Sequence, residues 1–189
     1  MNKELAILVR EIQVTDIDYL ADYWFNAKPE HFRKMGANKD KLPKKSVFKQ
    51  MLAKQIKTPV ESKQSYALIW EINGQPIGHS NINNIVFEQE ATMHLHIWNP
   101  HYRMKGIGTE LVRQSLPFYF NAMKLKKLIC EPYALNLAPN KTLEKVGFKF
   151  IKKYTTIPGS LNFEQQVNRW ELSKEQFNSV AAALHRDSH

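Results

Sequence analysis

Residues 103–108 read Arg-Met-Lys-Gly-Ile-Gly, a basic loop between a predicted strand and a predicted helix that begins at Ile107. Its two glycines let backbone amides approach a ligand closely, because no side chain intervenes. The first N–H groups of a helix lack partners and carry partial positive charge, which suits a phosphate or pyrophosphate. Arg103 and Lys105 add formal charge at the same place. The loop therefore predicts a pyrophosphate-binding site.

A second motif follows about 25 residues later, where Asn136 and Asn140 precede Leu-Glu-Lys-Val-Gly-Phe at 143–148. The first loop is neither a Walker sequence, since no Gly-Lys-Ser/Thr follows, nor the dinucleotide fingerprint, since Leu111 replaces its third glycine. Together the two motifs resemble the Gln/Arg-x-x-Gly-x-Gly/Ala and Asn…Glu-Lys-x-Gly-Phe signatures of the GNAT acetyltransferase superfamily. The form is that of its RimJ/RimL-like branch, and the resemblance extends over roughly residues 5–172.

This resemblance implies an α/β (α+β) fold with a mixed, largely antiparallel central sheet and helices on both faces. It also implies that the strands at 90–98 and 127–133 splay apart to hold acetyl-CoA, the co-substrate of the superfamily. No metal is implied. The residues then expected to contact acetyl-CoA are Ile97, Trp98, Arg103, Met104, Lys105, Gly106, Ile107, Gly108, Thr109, Asn136 and Asn140.

Acetyl transfer to an amine requires a neutral nucleophile, so a base is expected near the acetyl group. Three candidates lie on the predicted strand at 90–98: His94, His96 and Glu90. His94 and His96 are two residues apart and share one face of the strand. A histidine ordinarily titrates near neutral pH and can accept the proton of an ammonium. The alternative for both histidines is a hydrogen-bonded place on a half-buried strand, and for Glu90 a solvated turn.

The general acid departs from the family pattern. The position of the usual tyrosine is Leu143, and that of the serine used in the RimJ/RimL-like branch is Pro139. Tyr133 and Tyr154 lie on neighbouring predicted strands, and the thiolate can also leave unassisted. A backbone N–H near Ile97 or Trp98 is expected to stabilise the oxyanion. The acid is left unassigned.

The composition bounds the class of protein. The chain has 189 residues, 43% of them hydrophobic, which predicts a single domain over residues 1–189. Neither a secretory signal nor an apolar run long enough to span a membrane is present, so a cytoplasmic protein without a membrane partner is expected. The single cysteine, Cys130, excludes an internal disulfide and predicts a buried thiol.

Charge is concentrated in one segment. The net charge is +9, and residues 28–57 hold ten Lys or Arg and two acids, a net charge of +8. In chains of this superfamily the corresponding region covers the acceptor side of the cleft, so an anionic acceptor is expected to be favoured over a polycation. The alternative is a solvated basic helix face without a role.

The hydrophobic pattern predicts the element order β-α-α-β-β-β-α-β-α-β-β-α. Asn73-Gly74 predicts a tight hairpin turn, Thr15 an N-cap, and Pro117 a kink. The predicted strands are 5–12, 66–72, 76–86, 90–98, 127–133, 148–157 and 164–172, and the predicted helices are 15–25, 44–57, 107–121, 138–146 and one from Ser173, with 28–43 irregular.

The leading hypothesis is an N-acetyltransferase that moves an acetyl group from acetyl-CoA to a primary amine by direct attack in a ternary complex. The acceptor class, a small molecule or a peptide, is left open. The alternative is a non-catalytic acyl-CoA or nucleic-acid-binding module on the same fold, motivated by the missing acid and the basic segment. A third reading is transfer of a longer acyl chain or to a hydroxyl. The oligomeric state is not predicted, and a dimer fits the fold.

Overall fold

The computed structural model describes residues 5–103 and 106–179. The strands are β1 (Ile7–Glu11), β2 (Tyr66–Ile72), β3 (Gln75–Val86), β4 (Glu90–Ile97), β5 (Lys127–Cys130), β6 (Lys149–Thr156) and β7 (Gln165–Ser173). The helices are α1 (Ile17–Asn26), α2 (Pro29–Lys34), α3 (Lys45–Lys57), α4 (Ile107–Pro117) and α5 (Leu137–Val146), and residues 174–179 are also helical. Short 3-10 helices occupy Val14–Asp16, Lys39–Lys41, Val60–Ser62 and Pro100–Tyr102.

The strands form one sheet in the order β1-β2-β3-β4-β5-β7-β6. All neighbours are antiparallel except β4 and β5, which run parallel. The β2–β3 hairpin turns at Asn73 and Gly74, whose φ angles of 51° and 75° are the positive values that the Asn-Gly pair predicts. The predicted fold class is confirmed.

The parallel pair β4–β5 opens soon after it starts. It pairs only at Glu90–Lys127, Ala91–Leu128 and Thr92–Ile129, whereas β4 continues to Ile97 in regular pairing with β3. On the other side of the gap, β5 ends at Cys130, and Tyr133 forms only an isolated bridge to Val167. The splay implied by the resemblance is therefore present, and β5 is shorter than the predicted strand at 127–133.

Helices cover both faces of the sheet. One face packs its apolar residues, Met93 of β4 among them, against α4 and α5 in a continuous core that includes Leu111 and Leu143. On the other face, α1 places Tyr23 and Trp24 over the histidines of β3 and β4. Because side chains alternate along β4, its even-numbered residues belong to the second face.

Three local predictions need correction or refinement. Thr15 is not an N-cap, because it lies inside the 3-10 turn Val14–Asp16, in which the carboxylate of Asp16 accepts from the Gln13 amide. Residues 28–43 are not wholly irregular, since they contain α2 and a 3-10 turn. The sequence predicts a kink at Pro117 within a helix over 107–121; in the structure Pro117 is the last residue of α4, and a π-helical turn, Phe118–Ala122, follows it.

Candidate active site

The splay between β4 and β5 forms the floor of an open cleft. Strand β4 contributes four residues, Met93, His94, Leu95 and His96. The last residue of β5 and the segment after it contribute Cys130, Glu131, Pro132 and Tyr133. The remaining described residues that line the cleft come from four further parts of the chain: Met35 after α2, Asn136 and Pro139 at the start of α5, Pro158 and Asn162 before β7, and Gln165 in β7. The cleft is thus lined by both halves of the sheet and by the segment that follows α2.

The glycine loop lies beside the far end of β4. Gly106 is the N-cap of α4 with φ of +76°, and a Cβ added there would meet no atom within 4 Å. The Thr109 amide donates to the Gly106 carbonyl at 3.1 Å, which leaves the amides of Ile107 and Gly108 without a partner in the helix. The open side of Gly106 and these amides can receive an anion. Met104 and Lys105 lie outside the described residues.

Arg103 is hydrogen-bonded to the backbone of β4. Its guanidinium donates to the Ile97 carbonyl from Nε at 3.1 Å and from Nη2 at 2.7 Å. It therefore fixes the loop to the end of β4. Its predicted contact with a phosphate stays a prediction.

The backbone of β4 alternates between β3 and the cleft. The Trp98 amide donates to the Ile77 carbonyl at 2.8 Å, so the even-numbered residues turn their backbone groups toward β3. The odd-numbered residues turn theirs toward the splay, as the Cys130 thiol shows by donating to the Met93 carbonyl at 3.0 Å. The sequence predicts the amides of Ile97 and Trp98 as oxyanion donors. The Trp98 amide is bonded to Ile77, whereas the Ile97 amide faces the splay, as does the amide of Leu95. Leu95 is a site residue that sequence reasoning missed.

His94 is held in one tautomer by its neighbour on β3. Its Nε2 lies 3.1 Å from Oδ1 of Asn83, an oxygen that can only accept. Nε2 therefore carries the hydrogen, and Nδ1 keeps its lone pair. Burial lowers the pKa of His94 to about 4. The ring is a neutral acceptor at physiological pH, and the near-neutral titration expected from the sequence is wrong for it.

His96 belongs to a cluster of rings beneath α1. It stacks on His79 with ring centroids 4.6 Å apart, and His79 accepts from the indole N–H of Trp98 at 2.7 Å. Burial lowers the pKa of His96 well below its usual value and that of His79 to about 3. The Nδ1 atom of His96 lies 3.2 Å from the hydroxyl of Tyr23. Both predicted histidines thus belong to the face of the sheet on which α1 lies, in their neutral form.

Comparison with known proteins decides the family. Residues 6–149 match the acetyltransferase (GNAT) domain family, which is more than half of the chain. The chain belongs to the GNAT acetyltransferase family. Membership makes it an acetyltransferase, with acetyl-CoA as the co-substrate of that family. A comparison with curated protein sequences found no significant match.

Solved structures share this GNAT fold at low sequence identity. The spermidine N-acetyltransferase of Vibrio cholerae, solved with CoA and spermine, is 15% identical, with a TM-score of 0.74 over 91% of this chain and 98% of that one. An aminoglycoside acetyltransferase solved with coenzyme A and kanamycin is 18% identical, with a TM-score of 0.69 over 92% and 98%. An uncharacterised protein from Bacillus halodurans is 16% identical, with a TM-score of 0.69 over 97% and 92%.

The two asparagines of the second GNAT motif differ in their surroundings. The Asn136 side chain makes no capping bond at the start of α5, and the residue lines the cleft. Asn140 is fully engaged by the protein: its Nδ2 donates to the carbonyls of Asn136 and Tyr133. Its Oδ1 accepts from Asn168 and Trp170, each at 2.9 Å. Asn136 is the better placed for a ligand, and Asn140 ties α5 to β7.

The third candidate base lies elsewhere on β4. Glu90 begins the strand, four residues before His94 and so roughly 13 Å from it along the chain. Its carboxylate accepts from Lys127 at 2.9 Å. Among the predicted bases, only the two histidines line the cleft.

Of the two tyrosines considered as general acid, one faces the cleft. Tyr133 lines it, whereas the Tyr154 hydroxyl donates to Oε1 of Glu131 at 2.5 Å. Leu143 is fully buried in the core. Pro139 lines the cleft but offers no proton.

Charges around the cleft are mostly paired. Glu131 is the one carboxylate among its described lining residues, and Nη1 of Arg169 donates to it at 2.8 Å. In the basic segment, Lys45 and Lys49 pair with Asp22 and Asp18 of α1 at 2.9 and 2.5 Å.

The described residues contain no helix long and apolar enough to cross a membrane, and no group of His, Cys, Asp and Glu side chains that could hold a metal ion.

The three neutral histidines should make stability depend on pH. A pKa that is lower in the folded chain stabilises the fold above the unfolded value of about 6.5, and this contribution is lost as the pH falls toward the folded value. For His79 and His94 the folded pKa values are about 3 and about 4, and that of His96 is also lowered. The free energy of unfolding should therefore fall by up to about 4 kcal/mol per pH unit below pH 6.

Urea unfolding followed by circular dichroism between pH 7 and pH 5 measures this slope, in a range above the titration of most carboxylates. His94→Gln removes one titrating group and should reduce the slope by about a third. Constant stability across this range would show that the histidines are not buried in their neutral form.

Proposed function

We propose that this protein transfers the acetyl group of acetyl-CoA directly to a primary amine while both substrates are bound. The observation that carries this proposal is the splay of β4 from β5, with the open N-terminus of α4 at its end and His94 within it. Direct attack, without an acetylated cysteine as intermediate, is supported by the protonation of Cys130, the single thiol of the chain. Cys130 donates to the Met93 carbonyl and burial raises its pKa to about 12, so it is a poor acetyl carrier.

In this account each group has one task. The α4 N-terminus binds the pyrophosphate, and the splay-facing amides of Leu95 and Ile97 pair with the pantetheine or stabilise the oxyanion. After attack, the amine nitrogen is positively charged and far more acidic than a free ammonium. Nδ1 of His94 can then accept its proton in spite of a low pKa. Tyr133 is the candidate donor to the departing thiolate.

The acceptor should not be a polycation. Polyamines and aminoglycosides need free carboxylates, yet Glu131 is bonded to both Arg169 and Tyr154. The nearest acids of α1, Asp18 and Asp22, are paired with lysines of α3. Exposed lysines of residues 28–57 leave this side of the molecule positively charged. We propose an amine whose own net charge is negative or zero, on a small molecule or a peptide.

Rates with a panel of amines test both the activity and this preference. At low salt, kcat/KM should be about 10-fold higher for an amine that carries a carboxylate than for spermidine, because exposed charge steers encounter. The preference should shrink at about 1 M salt, where the Debye length is only about 3 Å. Lys41→Gln should weaken it, since Lys41 donates to the carbonyl of Asn162, which lines the cleft. Lys57→Gln, at the far end of α3, is the matched control.

Two results would contradict this proposal in different ways. Faster turnover of spermidine at every salt concentration would overturn the charge preference alone. Tight CoA binding without turnover of any amine would instead favour the non-catalytic acyl-CoA or nucleic-acid-binding module.

Four further proposals remain: placement in the RimJ/RimL-like branch, a single domain over residues 1–189, a cytoplasmic location and a dimer.

A further inference from the structure

Three side chains form a hydrogen-bonded chain that leads away from the cleft. Nδ1 of His96 lies 3.2 Å from the Tyr23 hydroxyl, which lies 3.0 Å from Nε2 of His31. His96 lines the cleft, whereas His31, on α2, is partly exposed and does not. The hydroxyl also lies 3.3 Å from Sδ of Met35, a weaker acceptor. The chain connects the cleft with the surface beside α2.

The proposed reaction releases one proton to solvent in each turnover. An acceptor that arrives as an ammonium loses one proton before attack, which frees the lone pair of its nitrogen. The nitrogen loses a second proton after it bonds to the acetyl carbon, and the CoA thiolate gains one to become a thiol. The proton lost after attack balances the proton gained by the thiolate, so the proton lost before attack has to leave the cleft.

We propose that His96, Tyr23 and His31 carry this first proton from the acceptor ammonium to solvent. The ammonium N–H breaks as Nε2 of His96 gains the hydrogen, and the Nδ1 hydrogen of His96 passes to the Tyr23 oxygen. The Tyr23 hydrogen passes to Nε2 of His31, whose Nδ1 releases a proton to water. The neutral amine remains in the cleft, and no charge stays on the three residues. This inference rests on the proposed function, because it needs an ammonium acceptor.

The surroundings keep the three groups neutral between turnovers. Burial lowers the pKa of His96 and of His31 and raises that of Tyr23. The charged group that faces all three is Arg103, which favours their less protonated forms. Lys34 acts in the same direction on His31, and so do the neighbouring rings of His79 and His94 on His96. A neutral imidazole or hydroxyl can both accept and donate, which a relay requires.

Packing holds Tyr23 in place independently of its hydroxyl. Its ring contacts the rings of Trp24, His31 and His79 with centroids 5.2, 5.5 and 5.8 Å apart. Tyr23→Phe keeps these contacts and removes only the oxygen. Tyr19→Phe, on the same helix and with an exposed side chain that stacks on Trp98, is the matched control.

The test compares two acceptors at pH 7, an alkylamine that is charged in solution and an aromatic amine that is already neutral. Tyr23→Phe should lower kcat/KM by about 10-fold or more for the alkylamine and change it by less than about twofold for the aromatic amine. His31→Gln should give the same pattern, and Tyr19→Phe should change neither rate. In the wild type, the solvent deuterium isotope effect should be larger with the alkylamine.

The outcomes separate this inference from the function on which it rests. If Tyr23→Phe lowers both rates equally, or lowers neither, the relay is wrong while the acetyltransferase activity stands. If the wild type acetylates neither amine, nor any other amine, the proposed function is overturned and the relay with it. Equal isotope effects for the two acceptors would also overturn the relay.

Discussion

Replacing His94 with glutamine is expected to lower kcat by about 10²-fold or more, because the tetrahedral adduct then loses its proton acceptor. Glutamine keeps a side-chain amide that can donate to Asn83, so the strand pairing and the fold should remain. CoA affinity should be unchanged, since the proposed pyrophosphate site at the α4 N-terminus does not include His94. Single-turnover kinetics and calorimetric titration with CoA measure the two quantities separately.

The pH profile should also identify the ionising group. Because the pKa of His94 is lowered to about 4, its neutral fraction is essentially constant between pH 6 and pH 8. Between pH 6 and pH 8 kcat/KM should therefore show no limb from His94, and any rise with pH should shift when the amine is changed. A limb near pH 6.5 that disappears in His94→Gln would contradict a neutral His94. Equal kcat in variant and wild type would remove His94 from the mechanism.

Gly106→Ala is expected to weaken CoA binding by about 10²-fold, because the added methyl group occupies the open side of the α4 N-terminus. That loss corresponds to one or two charge-assisted hydrogen bonds of about 1.5–3 kcal/mol each. The backbone at Gly106 has φ of +76°, so the variant is also strained.

Gly74→Ala separates strain from binding. Gly74 has φ of +75°, and a Cβ there also meets no atom within 4 Å, but it lies in the β2–β3 turn away from the cleft. Both variants should lose a similar free energy of unfolding, about 1–2 kcal/mol, and only Gly106→Ala should lose CoA affinity. Unchanged calorimetric affinity in folded Gly106→Ala would show that the pyrophosphate does not bind at this loop.

Local features of this chain are predictable because neighbouring residues determine them. The positive φ angles at Asn73 and Gly74, the αL residue Gly147 after α5 and the break at Pro117 follow from the conformational limits of those residue types. The two motifs located the loop before α4 and the start of α5. The prediction for Thr15 was wrong because a 3-10 turn, Val14–Asp16, precedes α1 and contains this residue.

The chemistry of the cleft depends on contacts between distant parts of the chain, which periodicity does not reveal. The pKa of His96 is low because α1 and β3 bury it, and Tyr23 of α1 lies 73 residues away in sequence. Tyr23 and His31 were missed for the same reason. Strand alternation was the signal for Leu95, but it becomes informative only when the pairing of β4 with β3 is known.

The most direct test of the central claim is to measure both products of one reaction together. Wild-type protein with acetyl-CoA and each amine of the panel should release free thiol and form acetylated amine in equal amounts, with no acetyl group retained on the protein by intact mass. Omitting the amine should abolish thiol release. An acetylated protein that later passes its acetyl group to the amine would contradict direct attack, and thiol release without acetylated amine would contradict the assignment as an amine acetyltransferase.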